Sequence, residues 1–294
     1  MSQLEWDKVG ERFFETGVDH GVLYKPNAQG EYDQGFVWNG LTAVNESPEG
    51  AESNKQYADN IAYLNLQSAE EFNATIEAFY SPVEFDEHDG TARPRPGVAF
   101  GQQRRKPFGF SYRTLLGNDL EGVDYGYKIH LVYNALAAPS EKGRATMNDS
   151  PEAAGLSWEL STTPVAVGVL GGVSYRPTAH VTITSTEVDP DDLAALEEAL
   201  YGTESTDPRL PLPAEVYGMF GAGATTEVVP AAPTYNSSTD TITIPSSPGV
   251  VYYIDGEPVT GDVVITEDTV VTARPAAGYK FTQPSDDDWY FDHT

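Results

Sequence analysis

Apolar and polar residues alternate with a period of two through the middle of the chain, and this pattern constrains its fold more than any other feature. Phe108, Phe110 and Tyr112 alternate with Gly109, Ser111 and Arg113; Tyr127, Ile129, Leu131 and Tyr133 alternate with Lys128, His130, Val132 and Asn134; Leu156, Trp158 and Leu160 repeat the scheme. Successive side chains of a strand point to opposite faces, so the pattern predicts strands with one buried and one solvated face, with Val132 as an apolar exception on the outward side. Half-buried strands belong to antiparallel sheets, whereas parallel strands read as continuous apolar runs. The expected class is therefore mainly β, an antiparallel sandwich or barrel. In that arrangement Trp158 is expected in the core, and His130 at the surface, facing a neighbour or water.

Further strands are expected at 22–24, 36–44, 61–66, 75–80 and 180–184, separated by turn residues such as Asn39-Gly40 and Pro48-Glu49-Gly50. One flanking helix is expected. Asp189 suits an N-cap, Pro190 the first helical position, and Asp191 and Asp192 the positive end of the helix dipole. Leu193, Leu196 and Leu200 then share a face, and Gly202 ends the run. Ser68 to Glu71 reads as a capping box, giving one helical turn that feeds the strand at Thr75.

A chain of 294 residues exceeds one core of average size, which predicts two domains. Residues 206–229, with Pro208, Pro211 and Pro213 followed by the small residues of Gly218–Thr226, read as a loosely packed linker between domains at 1–205 and 230–294. Beyond it, short strands at 241–244, 250–254, 263–266 and 270–273, punctuated by Asp255-Gly256 and Thr260-Gly261-Asp262, read as a small immunoglobulin-like sandwich. Ser285 to Thr294, with three consecutive aspartates, is expected to fray.

Charge narrows the function. Asp and Glu number 45 against 17 Lys and Arg, a formal net charge of -28. Affinity for nucleic acid rests on neutralising phosphates, so this surface should repel DNA, although it suits a wall past which DNA slides without sticking. With no cysteine there is no disulfide, thiolate zinc site or thiol nucleophile. The start, Met1 to Lys8, shows no secretory signal, and the most apolar run, Val165 to Val173, is far shorter than a bilayer-spanning segment.

No phosphate-binding glycine loop is visible, nor a G-x-S-x-G elbow, and Ser111 sits within a strand where a nucleophile turn cannot form. No catalytic residue and no cofactor is expected. The five histidines, at 20, 88, 130, 180 and 293, include no pair at the spacing that sets two ligands on one helical face. Asp86, Glu87, His88 and Asp89 are the best metal candidate, but adjacent residues rarely point at one ion, so this stretch is expected to be a solvated loop and the chain to hold no metal.

Between Tyr80 and Phe108 lies a long stretch without periodicity, and long connections in compact domains are usually functional or disordered. It opens with Glu84, Asp86, Glu87 and Asp89 and closes with Arg93, Arg95, Arg104, Arg105 and Lys106, so that five of 17 basic residues fall within fourteen positions. Pro94, Pro96 and Pro107 favour an extended conformation. Two readings stand: a loop or small anion-binding patch, or a self-complementary arm whose basic half meets acidic surface on a neighbouring copy and offsets the repulsion between acidic subunits.

The segment Phe108–Val167 resembles the major tail (tail tube) proteins of long-tailed, non-contractile phages. The resemblance is carried by Tyr112-Arg113-Thr114, the turn Gly117-Asn118-Asp119, Tyr125-Gly126-Tyr127-Lys128-Ile129-His130, Pro139-Ser140-Glu141-Lys142, Asn148-Asp149-Ser150-Pro151-Glu152, and Trp158-Glu159 followed by Ser161-Thr162-Thr163-Pro164. Weaker agreement runs from Trp6 to about Tyr201. The resemblance implies a tail-tube domain over 1–205, hexameric rings stacked head to tail in the virion, and a negatively charged channel through which genomic double-stranded DNA passes unbound. It also implies tape measure, tail terminator and tail-tip proteins as partners, and makes 230–294 an immunoglobulin-like decoration. Other readings are another tail component, such as a terminator or connector subunit, and a carbohydrate-binding β-sandwich with Trp38 or Trp289 as an exposed platform. A β-hydrolase ranks below these for want of a nucleophile with its base.

Overall fold

A computed structural model of the chain describes residues 6–50, 53–146, 149, 153–220, 226–276, 279–282 and 285–293. The resemblance-bearing residues Asn148 and Ser150 to Glu152 lie outside these. The body is one eight-stranded sheet of β1 (Phe14–Pro26), β2 (Tyr32–Val37), β3 (Leu41–Glu46), β4 (Asn73–Ala78), β5 (Phe108–Asn118), β6 (Gly122–Ala137), β7 (Leu156–Thr162) and β8 (His180–Thr184); seven follow the order β2-β1-β5-β6-β7-β4-β3, and β8 pairs with β6 off that path. All pairings are antiparallel.

β6 changes partner along its length: Lys128–Val132 pair with β8, and Ala135–Ala137 pair with β7. Between them Asn134 has φ of 50°, the left-handed region that asparagine tolerates better than most residues. The sheet then curls back on itself. The Trp38 amide donates to the Gly21 carbonyl of β1 at 2.8 Å, and a Cβ built on Gly21 would lie 2.4 Å from the Leu41 side chain and 3.0 Å from the Trp38 carbonyl oxygen, so the missing side chain gives β3 room to approach β1.

Curling buries both faces of the sheet. Inside lie Leu23, Trp38, Ile76, Phe85, Phe110, Tyr112, Val132 and Trp158. Trp38 packs against Phe85 at 4.5 Å and edge-on against Trp158 at 5.5 Å. On the outer face Tyr24, Ile129, Leu131, Tyr133 and Ile183 are covered by α1 (Pro190–Tyr201) and α2 (Pro213–Met219) through Leu193, Leu196, Leu200 and Val216. The expected solvated face therefore does not exist over much of β5 and β6, and Val132 is apolar because it faces the inner core. Trp158 is buried, as its alternation predicts.

α1 starts and stops where its residues predict, with the Asp189 carboxylate accepting from the Asp191 amide and Gly202 at φ of 77°. Several other elements differ from expectation. The strand expected at 36–44 is two, broken at Trp38-Asn39-Gly40 because Trp38 turns into the core. The capping box at 68–71 forms no helical turn: Glu70–Glu71 pairs with Glu49–Gly50 as a continuation of β3 and β4. The stretch expected as a loose linker carries α2, with Pro213 at its first turn, and buries Leu210 and Val216 in the outer core. Proline content there starts a helix rather than loosening the chain.

The C-terminal strands form a three-stranded sheet (Thr234–Asn236, Thr241–Ile244, Gly261–Val264) and a four-stranded sheet (Glu257–Val259, Val250–Ile254, Thr269–Pro275, Asp288–Phe291). They enclose a third core of Ile242, Ile244, Tyr252, Ile265, Val271 and Ala273. The expected fraying after Ser285 is not found among the described residues: Asp288–Phe291 pairs with Thr269–Thr272. Asp288 is buried, and its carboxylate accepts from the Asn118 side-chain amide at 2.6 Å, while Tyr125 donates to Asp287 and Thr272 to Glu121. These bonds join the strands to the β5–β6 turn.

Candidate functional site

β3 and β4 continue past the sheet as a two-stranded ribbon through Glu49–Gly50 and Glu70–Glu71 to a hairpin of Ser53–Ala58 and Ile61–Gln67. Asp59 and Asn60 turn the hairpin with φ of 51° and 61°, the two positive values that a type I′ turn requires. Every residue of both hairpin strands is exposed. The register sets Ile61 opposite Ala58, Leu64 opposite Gln56 and Leu66 opposite Asn54, so Ile61, Leu64 and Leu66 form an apolar stripe on one side of the ribbon. Tyr57 and Tyr63, 71% and 64% exposed, add to the apolar surface.

The charged stretch between Tyr80 and Phe108 is a 3-10 turn at Val83–Phe85 followed by an exposed hairpin of Ala92–Arg95 and Val98–Phe100. Its acids and bases meet one another within the chain. Arg93 bonds Asp86, Lys142 bonds Asp89, and Arg105 reaches Asp89 at 3.1 Å and the Ala137 carbonyl at 3.2 Å. Glu87 takes Lys25 at 2.8 Å and Lys106 at 2.5 Å. Partial burial raises the Glu87 carboxyl, but the two ammonium groups outweigh it and hold the pKa at about 2. Glu84 is half-buried, while Arg95 and Arg104 are exposed and make no ion pair among the described residues. His88 does not join these carboxylates as a solvated ligand: it is buried against Phe85 and Phe108, with Nδ1 2.9 Å from the Lys106 carbonyl oxygen.

A second polar group lies where β3, β6 and β8 meet. His130 is buried rather than surface-facing, because it shares the inner side of β6 with Val132. Its ring lies parallel to Tyr112, 4.5 Å between centroids, and to His180 at 5.4 Å; Phe72 stacks on His180 at 4.4 Å. Nδ1 of His130 is 3.2 Å from Nε2 of His180 and 3.3 Å from Oε1 of Glu46, and that oxygen is 4.0 Å from Nε2 of His180. Tyr112 donates to the same oxygen at 2.7 Å. Burial pushes both imidazoles down, His130 to about 4, and raises the Tyr112 hydroxyl. The sequence singles out none of the three as ligands, since residues 46, 130 and 180 meet only through strand pairing.

The aromatic platforms expected of a carbohydrate-binding module are not offered by the tryptophans proposed for them. Trp38 is 2% exposed and roofs the inner core, and Trp289 is half-buried against the C-terminal core. No helix among the described residues is long and apolar enough to cross a membrane.

No protein-family model and no curated protein matches the chain. Among solved structures it is similar to a chain of one described as "Cryo-EM structure of the anti-feeding prophage (AFP) baseplate, 6-fold symmetrised", at 13% identity over 61% of this chain and 97% of that chain, with a TM-score of 0.30. A likeness at this level carries no argument about what this chain does.

Proposed function

We propose that this chain is a structural subunit of a phage tail tube, assembling as hexameric rings that stack into an acidic-lined conduit for DNA. The observation that carries the reading is the exposed hairpin Ser53–Gln67 with its apolar stripe of Ile61, Leu64 and Leu66. A two-stranded hairpin is marginally stable alone, and its open edges invite further strands. Identical ribbons set side by side in a ring give each edge a partner and close the barrel, which removes free edges altogether. The resemblance of Phe108–Val167 to tail tube proteins points to the same occupant, a second copy of the chain. The net charge of -28 suits a wall that does not bind phosphate.

Arg95 and Arg104, which make no ion pair among the described residues, are the cations with which the loop between Tyr80 and Phe108 would reach an acidic neighbour; Asp86, Glu87, Asp89, Arg93, Arg105 and Lys106 are engaged within their own chain. Tape measure, terminator and tail-tip proteins are the further partners of this reading.

The test is negative-stain electron microscopy of the concentrated protein, with and without a tail-tip initiator. Hollow tubes with a bore wider than the roughly 20 Å DNA duplex are expected. Leu64→Glu/Leu66→Glu should abolish them while leaving the thermal midpoint of the chain unchanged, because neither residue touches a core. A wild-type chain that remains monomeric under both conditions overturns the reading.

A further inference from the structure

We propose that Glu46, His130 and His180 bind one divalent transition-metal ion of the zinc class. The three facing ligand atoms form a triangle with edges of 3.2, 3.3 and 4.0 Å. Tetrahedral ligands at about 2.0–2.2 Å from zinc stand about 3.3–3.5 Å apart, so two edges already meet this spacing and the edge between Glu46 and His180 has to close by roughly half an ångström.

The cluster holds more lone pairs than protons. Thr114 gives its proton to Glu15 at 2.6 Å, which leaves its oxygen to accept from Nε2 of His130 at 3.0 Å. Neutral His130 then presents a bare lone pair at Nδ1. That lone pair faces the Glu46 oxygen, which already takes the Tyr112 proton, and Nε2 of His180. The proton on Nε2 of His180, which also has the Thr182 hydroxyl at 3.4 Å, serves one acceptor and leaves Nδ1 of His130 and the Glu46 oxygen facing each other at 3.3 Å with no proton between them. A divalent ion among the three satisfies all of them at once.

The surroundings also fit. A metal-bound imidazole characteristically donates its other N–H to an oxygen that is itself held, and His130 does so through Thr114 to Glu15, whose second oxygen is fixed by Lys128 at 2.6 Å. The parallel rings of Tyr112, His130 and His180 hold both imidazoles in orientation, and Glu46, 37% exposed, leaves an approach from solvent. Two imidazoles with one carboxylate favour zinc and its transition-metal neighbours over magnesium or calcium, which prefer all-oxygen shells. The ion would tie β3 to β6 and β8 at the last residue of β3, the base of the ribbon that carries the exposed hairpin. This inference does not depend on the tail-tube reading.

The experiment is calorimetric titration of zinc into the tag-free, chelator-stripped full chain, with cobalt(II) absorption as a second readout. One ion per chain, the intense visible bands of tetrahedral cobalt, a zinc-dependent rise in thermal midpoint and no comparable effect of magnesium are expected. His180→Gln and Glu46→Gln should each weaken binding by more than the about 10–100-fold that loss of a ligand's hydrogen-bond partner costs, whereas the double variant His20→Gln/His293→Gln should bind as wild type. Glu46 is partly exposed, so Glu46→Gln keeps the test decisive should His180→Gln fail to fold. Absence of stoichiometric binding in the wild type overturns the proposal. So does binding that survives unchanged in both ligand variants, since the ion would then sit on surface carboxylates.

Discussion

Two carboxyls with opposite environments set opposite pH dependences. Glu87, held at about 2 by Lys106 and Lys25 against its own partial burial, contributes stability that is present above the ordinary carboxylate pKa and lost as pH falls toward 2. Asp288 is the reverse: burial, then the neighbouring Asp287 charge, raise it to about 7 despite the bond from Asn118. A raised acid favours the folded state when protonated, so its contribution is full below about pH 4 and disappears as pH rises through 7. Asp288→Asn keeps an acceptor for Asn118 and removes the buried charge. It should raise the thermal midpoint near pH 7.5, with the gain vanishing near pH 4; equal gains at both would refute the burial argument. Among core residues, Trp158→Ala should cost about 3–5 kcal/mol in denaturant unfolding, because Trp38, Phe85 and the Lys142 ammonium all lie against that ring.

At the scale of elements, the charged loop between Tyr80 and Phe108 separates structural from available charge. Arg105→Glu would set a carboxylate against Asp89 and leave the Ala137 carbonyl without its donor, at a cost of about 1.5–3 kcal/mol, the scale of a lost charged hydrogen bond. Arg104→Glu, at an exposed side chain, should leave urea unfolding unchanged within about 0.5 kcal/mol. If the loop docks on neighbouring subunits, Arg95→Glu/Arg104→Glu weakens assembly and reduces its salt dependence without that stability loss. The ribbon behaves differently: its β3 and β4 ends are anchored in the sheet, while its exposed end depends on pairing alone. Backbone amides of Ser53–Gln67 should therefore exchange with solvent faster than those of β5 and β6 in the free chain, and slow on assembly.

At the scale of the whole molecule, three cores divide the work. The inner and outer cores share a single curled sheet, and the C-terminal core is tied to the β5–β6 turn through Asp287, Asp288 and Thr272. In the proposed tube that third core is an outward decoration, so a chain truncated before Thr226 should still form tubes by electron microscopy. Loss of tubes with the body still folded would make the C-terminal strands part of the assembly.

The sequence by itself determined the mainly β class, the limits of α1 and the burial of Trp158, because these follow from local periodicity, capping and alternation. It left the charged loop readable as arm or patch, since like and unlike charges in a row do not say whom they pair with. Only the tertiary structure decided that both sides of β5 and β6 are covered, that Trp38 roofs a core, that α2 replaces a linker, and that Glu46, His130 and His180 converge. Each of these depends on which strands lie side by side after the sheet curls, and that juxtaposition joins residues far apart in sequence through contacts that no local pattern encodes.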